Sequence, residues 1–252
     1  MSLKTLKFRF WLVAIAAILG TAVTLRLGFW QLSRANEKLA LQDAIQQKAE
    51  MPSLDAKTLI SASVDLNASL HRSTKLTGHW LPQHTLFLDN RQMDSKPGLF
   101  VVTPFEFEDK VTAVKKTILV QRGWIARNFI DRQQLPQIPT TLAEETVFGR
   151  IAPSPSKLYE FKGVDVGRIR QNIAIAELAQ EFKIELLNVT LLQLDDTKAA
   201  VANDGLLRHW TQPSLSVEKN YGYMLQWWAL SGLIAALFVW FQLIRPRMRS
   251  RI

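Results

Sequence analysis

The chain has 252 residues, including four histidines and no cysteine, and its 31 Lys and Arg against 22 Asp and Glu give a formal charge of +9. The absence of thiols excludes disulfides, thiolate metal sites and cysteine catalysis. The charge suggests a nucleic-acid footprint, but Lys4, Lys7, Arg9 and Arg26 at one end and Arg245, Arg247, Arg249 and Arg251 at the other carry it without an accompanying acid. Residues 27–222 retain 23 basic and 22 acidic side chains. Basic ends of this kind orient a membrane protein, so a membrane is expected as partner and no nucleic acid.

Residues 1–9 read as a short cytoplasmic tail. Residues 10–32 are apolar apart from Arg26 and predict a first transmembrane helix. A cleaved signal peptide also begins with a basic segment and an apolar stretch, but here the run continues through LGFWQL with no A-x-A site before a polar start, so an uncleaved span is expected. Arg26 lies near the outer end, where it can snorkel to the headgroups. Trp11 and Trp30 would stand about 28 Å apart along a helix, which suits two aromatic belts. Ala16, Gly20, Thr24 and Gly28 recur every four residues, as do Gly232 and Ala236; such small ridges let two spans approach closely, with chance in an Ala-rich helix as the alternative.

Residues 33–50 have the composition and spacing of an amphipathic helix. Pro52 ends it, and 53–61 predicts a short helix capped by Ser53. From Thr74 the period changes. TKLTGHW, HTLFLDN, LFVVTPF and AVKKTILVQRGWI read as a meander of antiparallel strands, with ETVFGRIA and IELLNVTLLQL as two more. Residues 172–182 predict a helix with Asn172 as its cap. Residues 220–244 carry no charge and reach past a hydrocarbon core of about 30 Å, so they predict a second span, followed by a basic tail at 245–252. Both basic clusters lie on the side away from residues 33–219, which places the termini in the cytoplasm and the middle domain across the membrane. Only nine residues precede the first apolar run, without the Arg- and Ser-rich leader of imported organellar proteins, so the expected location is the bacterial cell inner membrane with a periplasmic domain. The expected fold class is therefore α+β: a two-span transmembrane helical hairpin enclosing one β-rich domain of antiparallel sheet with a few helices.

Chemical motifs are scarce. Common nucleotide, hydrolase and zinc-protease signatures are missing. His79 and His84 flank a turn at Pro82, but two ligands with no nearby partner do not make a metal site, and they read as solvated turn residues. Asp195 and Asp196 are adjacent and read as a turn. No enzyme is expected.

Four segments go further. LGFWQLSRANEKLALQ, LTGHWLPQHTLFLDNRQMDSKPGLFVVTPF, ILVQRGWIARN and KNYGYMLQWWALSG resemble, in order and spacing, the signature segments of the Surfeit-1 family, two-span assembly factors for cytochrome c oxidase. The resemblance rests on Gly28, Trp30, Gln31, Arg34 and Lys38 at the first span, on Asn90, Arg91, Pro97 and Gly98, on Arg122, Gly123 and Trp124, and on Tyr223, Gln226 and Trp227 at the second span. It implies help in heme A insertion or subunit assembly, with cytochrome c oxidase subunits and heme A biosynthesis or assembly proteins as partners. It also implies a heme-handling or partner-helix region at Trp30, Gln31, Arg34, Asn220, Tyr223, Gln226 and Trp227. Where heme-binding members carry a histidine, this chain has Asn220, which is no usual axial ligand. Heme A held by His209 or Tyr221, a heme edge held by Arg34, Trp30, Trp227 and Trp228, and a scaffold or sensor without heme all remain open, as does a membrane-tethered enzyme. Bland roles stand beside these. Gly98 and Gly123 suit positive-φ turns, Arg91 and Arg122 suit stacking on Trp80 or Trp124, and Gln31 suits a bond to Gln226.

Overall fold

A computed structural model describes residues 3–61, 65–128, 134–158, 167–195, 204–210 and 216–249. The described elements are helices α1 (Leu3–Glu50) and α2 (Ala56–Ile60), strands β1 (Ser73–Trp80), β2 (Leu86–Met93), β3 (Lys96–Glu108), β4 (Lys115–Ala126), β5 (Glu145–Ala152) and β6 (Ile169–Arg170), helix α3 (Ile175–Phe182), strand β7 (Leu186–Gln193), and helices α4 (Val217–Phe238) and α5 (Arg245–Arg249). The chain divides into two compact units, Met1–Asp43 with Gln212–Ile252, and Ala44–Thr211. Two apolar helices thus flank a sheet-rich domain, an α+β layout.

In the first unit, two helices are long and apolar enough to cross a membrane, Phe8–Glu50 and Val217–Met248. Their burial is the reverse of that in a soluble core. On α1, Ala14, Thr24, Gly28 and Ala35 are buried and Ala17, Thr21, Gln31 and Lys38 half-buried, a repeat of three and four that follows one seam. Large apolar side chains point away from it, with Ile18 66% and Leu225 on α4 61% exposed. Beyond α4 the helix widens into a π turn, Val239–Ile244, in which the Arg245 amide donates to the Trp240 carbonyl. Pro246 accounts for this: it has no N–H, its ring would strike the carbonyl four residues back, and a wider turn relieves the crowding.

In the second unit, β1, β3, β4, β7 and β5 pair in a closed ring, because β1 bonds both β5 and β3. Within the expected meander β2, β3 and β4 do pair antiparallel in succession, but β1 bonds β3 and β5 rather than β2, and the sheet is not wholly antiparallel, since β4–β7 and β2–β6 are parallel. A chain that returns through α3 re-enters the sheet in the same direction as β4, which a simple hairpin succession does not allow. The length of β3 lets one edge serve two partners, β2 along 96–102 and β1 along 105–107. Pro104 sits at the change of partner, where its missing N–H costs no ladder bond and its carbonyl accepts from the Leu81 amide at 3.0 Å.

Three apolar clusters fill the unit. Trp80, Phe105, Ile118, Val120, Ile151 and Leu191 belong to the first, Leu88, Val102, Leu119 and α3 to the second, and Phe87, Leu99, Val101 and Leu206 to the third. Because β4 gives Ile118 and Val120 to one cluster and Leu119 to another, both its faces are covered, which explains the unbroken run ILVQRGW.

Other local expectations are also revised. Asp55, not Ser53, caps α2, accepting from the Thr58 amide at 2.8 Å. Asn172 does not cap α3; its amide instead holds both the N–H and the carbonyl of Leu158, at 2.7 and 2.9 Å. His79 lies within β1 rather than in a turn, while His84 stacks on Phe182 with ring centroids 4.4 Å apart. Asp195 pairs with Arg208 at 3.2 Å, and Asp196 is outside the described residues.

His71 adopts a left-handed φ of 72°, a conformation tolerated by His and Asn. Burial, then the charges of Arg150 and Lys48, hold its pKa below the ordinary 6.5. The unfolded chain therefore takes up a proton that the folded chain resists, so this stabilisation is full above pH 6.5 and is lost as pH falls through the lower folded value. Denaturation midpoints at pH 7.5 and pH 5 are expected to differ less in His71→Asn than in the unaltered chain; an equal difference would remove His71 from the account.

Candidate functional site

The family-like residues fall into two sets. In the first unit, Lys38 donates from Nζ to the Ser216 hydroxyl and to Asn220 Oδ1, both at 2.7 Å, and Asn220 Nδ2 donates to Gln31 Oε1 at 2.7 Å. This chain of bonds ties α1 to the start of α4. The described partners of this Lys ammonium, in a seam between apolar helices, are neutral oxygens, which hold it by charge-assisted hydrogen bonds. Gln31 thus bonds Asn220 and not Gln226, which is exposed.

One to two turns deeper in the pair, Gly28 meets the Trp228 indole, and a Cβ at position 28 would overlap that ring. Phe29 packs on Trp228 edge to face at 5.3 Å, and Ser231 donates to the Thr21 carbonyl at 3.2 Å. Gly20 faces Ile234 at 3.5 Å, whereas Gly232 has no neighbour within 4 Å of its would-be Cβ, so the second ridge expected at Gly232 and Ala236 does not form the seam. Large and hydroxyl side chains of α4 fill notches in α1 instead.

The remaining members of this region are not brought together. Trp30 and Tyr223 are exposed, Trp227 is half-buried, and Arg34 pairs with Glu37 one turn along its own helix at 2.8 Å. Trp30 lines a groove of about 610 Å³ with Arg26, Leu27, Phe29 and Val23. His209 belongs to the second unit, where Nδ1 meets Asp94 at 2.8 Å, and Tyr221 is half-buried. Sequence reasoning missed Ser216 and did not single out Trp228 in place of Trp227. Position along one helical run does not say which of two adjacent indoles faces the other helix.

Heme A is tested against these atoms. Asn220 has both amide positions occupied, Oδ1 by Lys38 and Nδ2 by Gln31, and carries no atom suited to an axial bond. Position 220 does not fit iron. Among the described residues no group of three metal-ligating side chains gathers.

The second set builds the β domain. Arg122, 3% exposed, stacks over Trp80 at 4.5 Å and donates to Thr140 at 2.6 Å and the Pro139 carbonyl at 3.2 Å. Asp204 lies between Arg122 at 3.5 Å and Arg208 at 2.5 Å. Burial lowers the Arg122 pKa while Asp204 and Glu145 oppose the shift. Gly98 and Gly123 serve close approach, not positive φ: the Trp124 ring occupies the space a Cβ would need at 98, and a Cβ at 123 would stand 2.7 Å from Leu206 Cβ. Trp124 then donates from Nε1 to the Arg91 carbonyl at 3.0 Å. Asn90, at φ 58°, makes a bulge between Leu88 and Arg91. The bulge re-aims Arg91 inward, where it donates to the carbonyls of Ser156 and Gln171, each at 2.8 Å, beneath Phe100. Asn90, Gly98, Arg122, Gly123 and Trp124 thereby fasten the β domain, and Arg91 reaches a cavity lining as well.

A family model described as SURF1 family matches residues 18–232. A SURF1-like protein of Rickettsia bellii is 26% identical over 230 residues, which cover 89% of this chain and 87% of the relative. Surfeit locus protein 1 of Arabidopsis thaliana is 28% identical over 118 residues, 45% of this chain and 33% of the relative. The cytochrome oxidase assembly protein SHY1 of Saccharomyces cerevisiae is 27% identical over 104 residues, 41% of this chain and 25% of the relative.

Two substitution series check the two sets. With cysteines introduced at Thr21 and Ser231 of this cysteine-free chain, a short bismaleimide should join the helices; Gly28→Leu is expected to cut the yield several-fold and Gly232→Leu to leave it unchanged, and equal yields would refute the assigned seam. Gly98→Ala should lower stability by about 1–3 kcal/mol through overpacking against Trp124, read from the denaturation midpoint.

Proposed function

The chain belongs to the SURF1 family, and from that premise we propose that it serves cytochrome oxidase assembly as a membrane-anchored helper without catalysis of its own. The oxidase enters through the name of the yeast relative. The observation that carries the membrane part is the inverted polarity of the helix pair: small and polar residues fill the seam while Ile18, Leu225 and their neighbours face outward. In lipid that is the stable arrangement, because acyl chains solvate Leu and Ile while close packing and hydrogen bonds hold the helices together. In this reading both spans cross the bacterial cell inner membrane, the basic ends stay in the cytoplasm and the β domain is periplasmic.

Within this reading we favour a scaffold that receives oxidase subunits over a carrier that ligates heme A at position 220. The Lys38–Asn220–Gln31 chain supports this, since it commits the amide to holding two helices. Deleting the gene should lower the amount of assembled heme-copper oxidase, measured by reduced-minus-oxidised spectra and oxygen uptake; normal spectra and activity would overturn the assembly role. Protein purified from a heme-A-producing strain should lack a bound heme spectrum, and a stoichiometric Soret band would return the carrier reading. A periplasm-dependent reporter fused near residue 140 should be active.

A further inference from the structure

The second unit contains a cavity of about 570 Å³ whose lining, among the described residues, carries two arginines, Arg91 and Arg150, and no acid. Neither arginine has an anionic partner among the described residues. Arg91 is 4% exposed and spends its terminal nitrogens on backbone carbonyls, leaving Nε unpartnered. Among the described residues the Arg150 side chain makes no hydrogen bond or ion pair, and its Nε is likewise buried without an acceptor. Burial lowers both guanidinium pKa values, and among the described residues no carboxylate opposes it, in contrast to Arg122, which has Asp204. Taking charge out of water without a counter-charge is costly, and with Arg91 buried and Arg150 half-buried at one cavity the fold carries an electrostatic deficit that an anion would relieve.

The rest of the lining says what the anion is attached to. Phe100 and Trp210 pack edge to face at 5.2 Å and, with Leu158, form an apolar wall. Trp210 is held in place by donating to the Gln193 carbonyl at 2.7 Å, and Gln121 is fixed by Thr190 at 2.8 Å, so the walls are set before any ligand arrives. A cavity of this size, with an apolar wall and a few convergent polar groups, matches small-molecule sites.

We propose that this cavity binds a small oxyanion, a carboxylate or phosphate carried on a flat apolar body, with Arg150 engaging the anion, Arg91 adding its charge, and Phe100, Trp210 and Leu158 receiving the body. Arginine is suited to both anions because its fork can donate two parallel hydrogen bonds. The site lies wholly within the β domain and is independent of the oxidase reading.

The test uses the full chain in zwitterionic nanodiscs, with empty discs as blank, titrated calorimetrically with 1-naphthoate, 1-naphthyl phosphate and uncharged 1-naphthamide. At least one anion is expected to bind about tenfold or more tightly than the amide, and the stronger of the two identifies the anion class. Arg150→Gln should bring that anion down to the level of the amide without lowering the thermal midpoint of the ligand-free protein, since among the described residues the Arg150 side chain holds no bond. Arg150→Lys, which keeps the charge, should retain part of the preference and serves if the Gln variant does not fold. Leu158→Ala should weaken anion and amide alike. Anions binding no better than the amide, or an anion preference unchanged in Arg150→Gln, would overturn the proposal.

Discussion

An indole set against a glycine closes each of the two units. Trp228 occupies the notch at Gly28 between the long helices, and Trp124 occupies the space beside Gly98 between neighbouring strands. In both places a single methyl group would collide with the ring, so the approach of two backbone elements depends on a missing Cβ. Around each contact the chain adds hydrogen bonds that cost little once the elements are close. Ser231 reaches Thr21 and Asn220 reaches Gln31 in one unit, while Trp124 reaches the Arg91 carbonyl in the other.

The two units distribute the same residue types in opposite ways. The helix pair puts small and polar groups inside and apolar groups outside, an arrangement held by close fit and by the Lys38 cluster. The β domain buries its apolar clusters and has to satisfy charges within them. Around Asp204 a carboxylate faces both Arg122 and Arg208, whereas the described lining of the cavity brings no carboxylate to Arg91 or Arg150. The contrast between a balanced and an unbalanced arginine pair in one small domain separates a fastening role from a receiving one. Family membership speaks to the general task of the chain; the uncompensated charges speak to a particular ligand class.

The membership also alters how the motif residues are understood. Arg122, Gly123 and Trp124 carried the resemblance, and each has a full structural account: ion pairing and stacking, close approach of Leu206, and filling the space at Gly98. Residues expected to handle a cofactor at the second span are dispersed, with Tyr223 and Gln226 exposed and only Gln31 and Asn220 in contact with each other. A motif can therefore mark what a family needs in order to fold.

Local chemistry determined much of this protein directly from its sequence. Two long apolar runs bounded by bare basic ends, six of the seven strands and a short helix before the last strand were legible because hydropathy period and turn residues act over a few positions. What the tertiary structure alone decided involves partners far apart in the chain. Ring closure through β1 and β3, the parallel return of β7 and the two-residue β6 arise from long-range pairing, which no local period encodes. The choice of Trp228 over Trp227, and of Asn220 over Gln226 as the partner of Gln31, depends on the rotation of one helix against another. The cavity between Arg91 and Arg150 exists only once β2 and β5 stand in place. A cation's lack of a counter-charge is a property of what folding brings near it, and a chain read one residue at a time does not contain it.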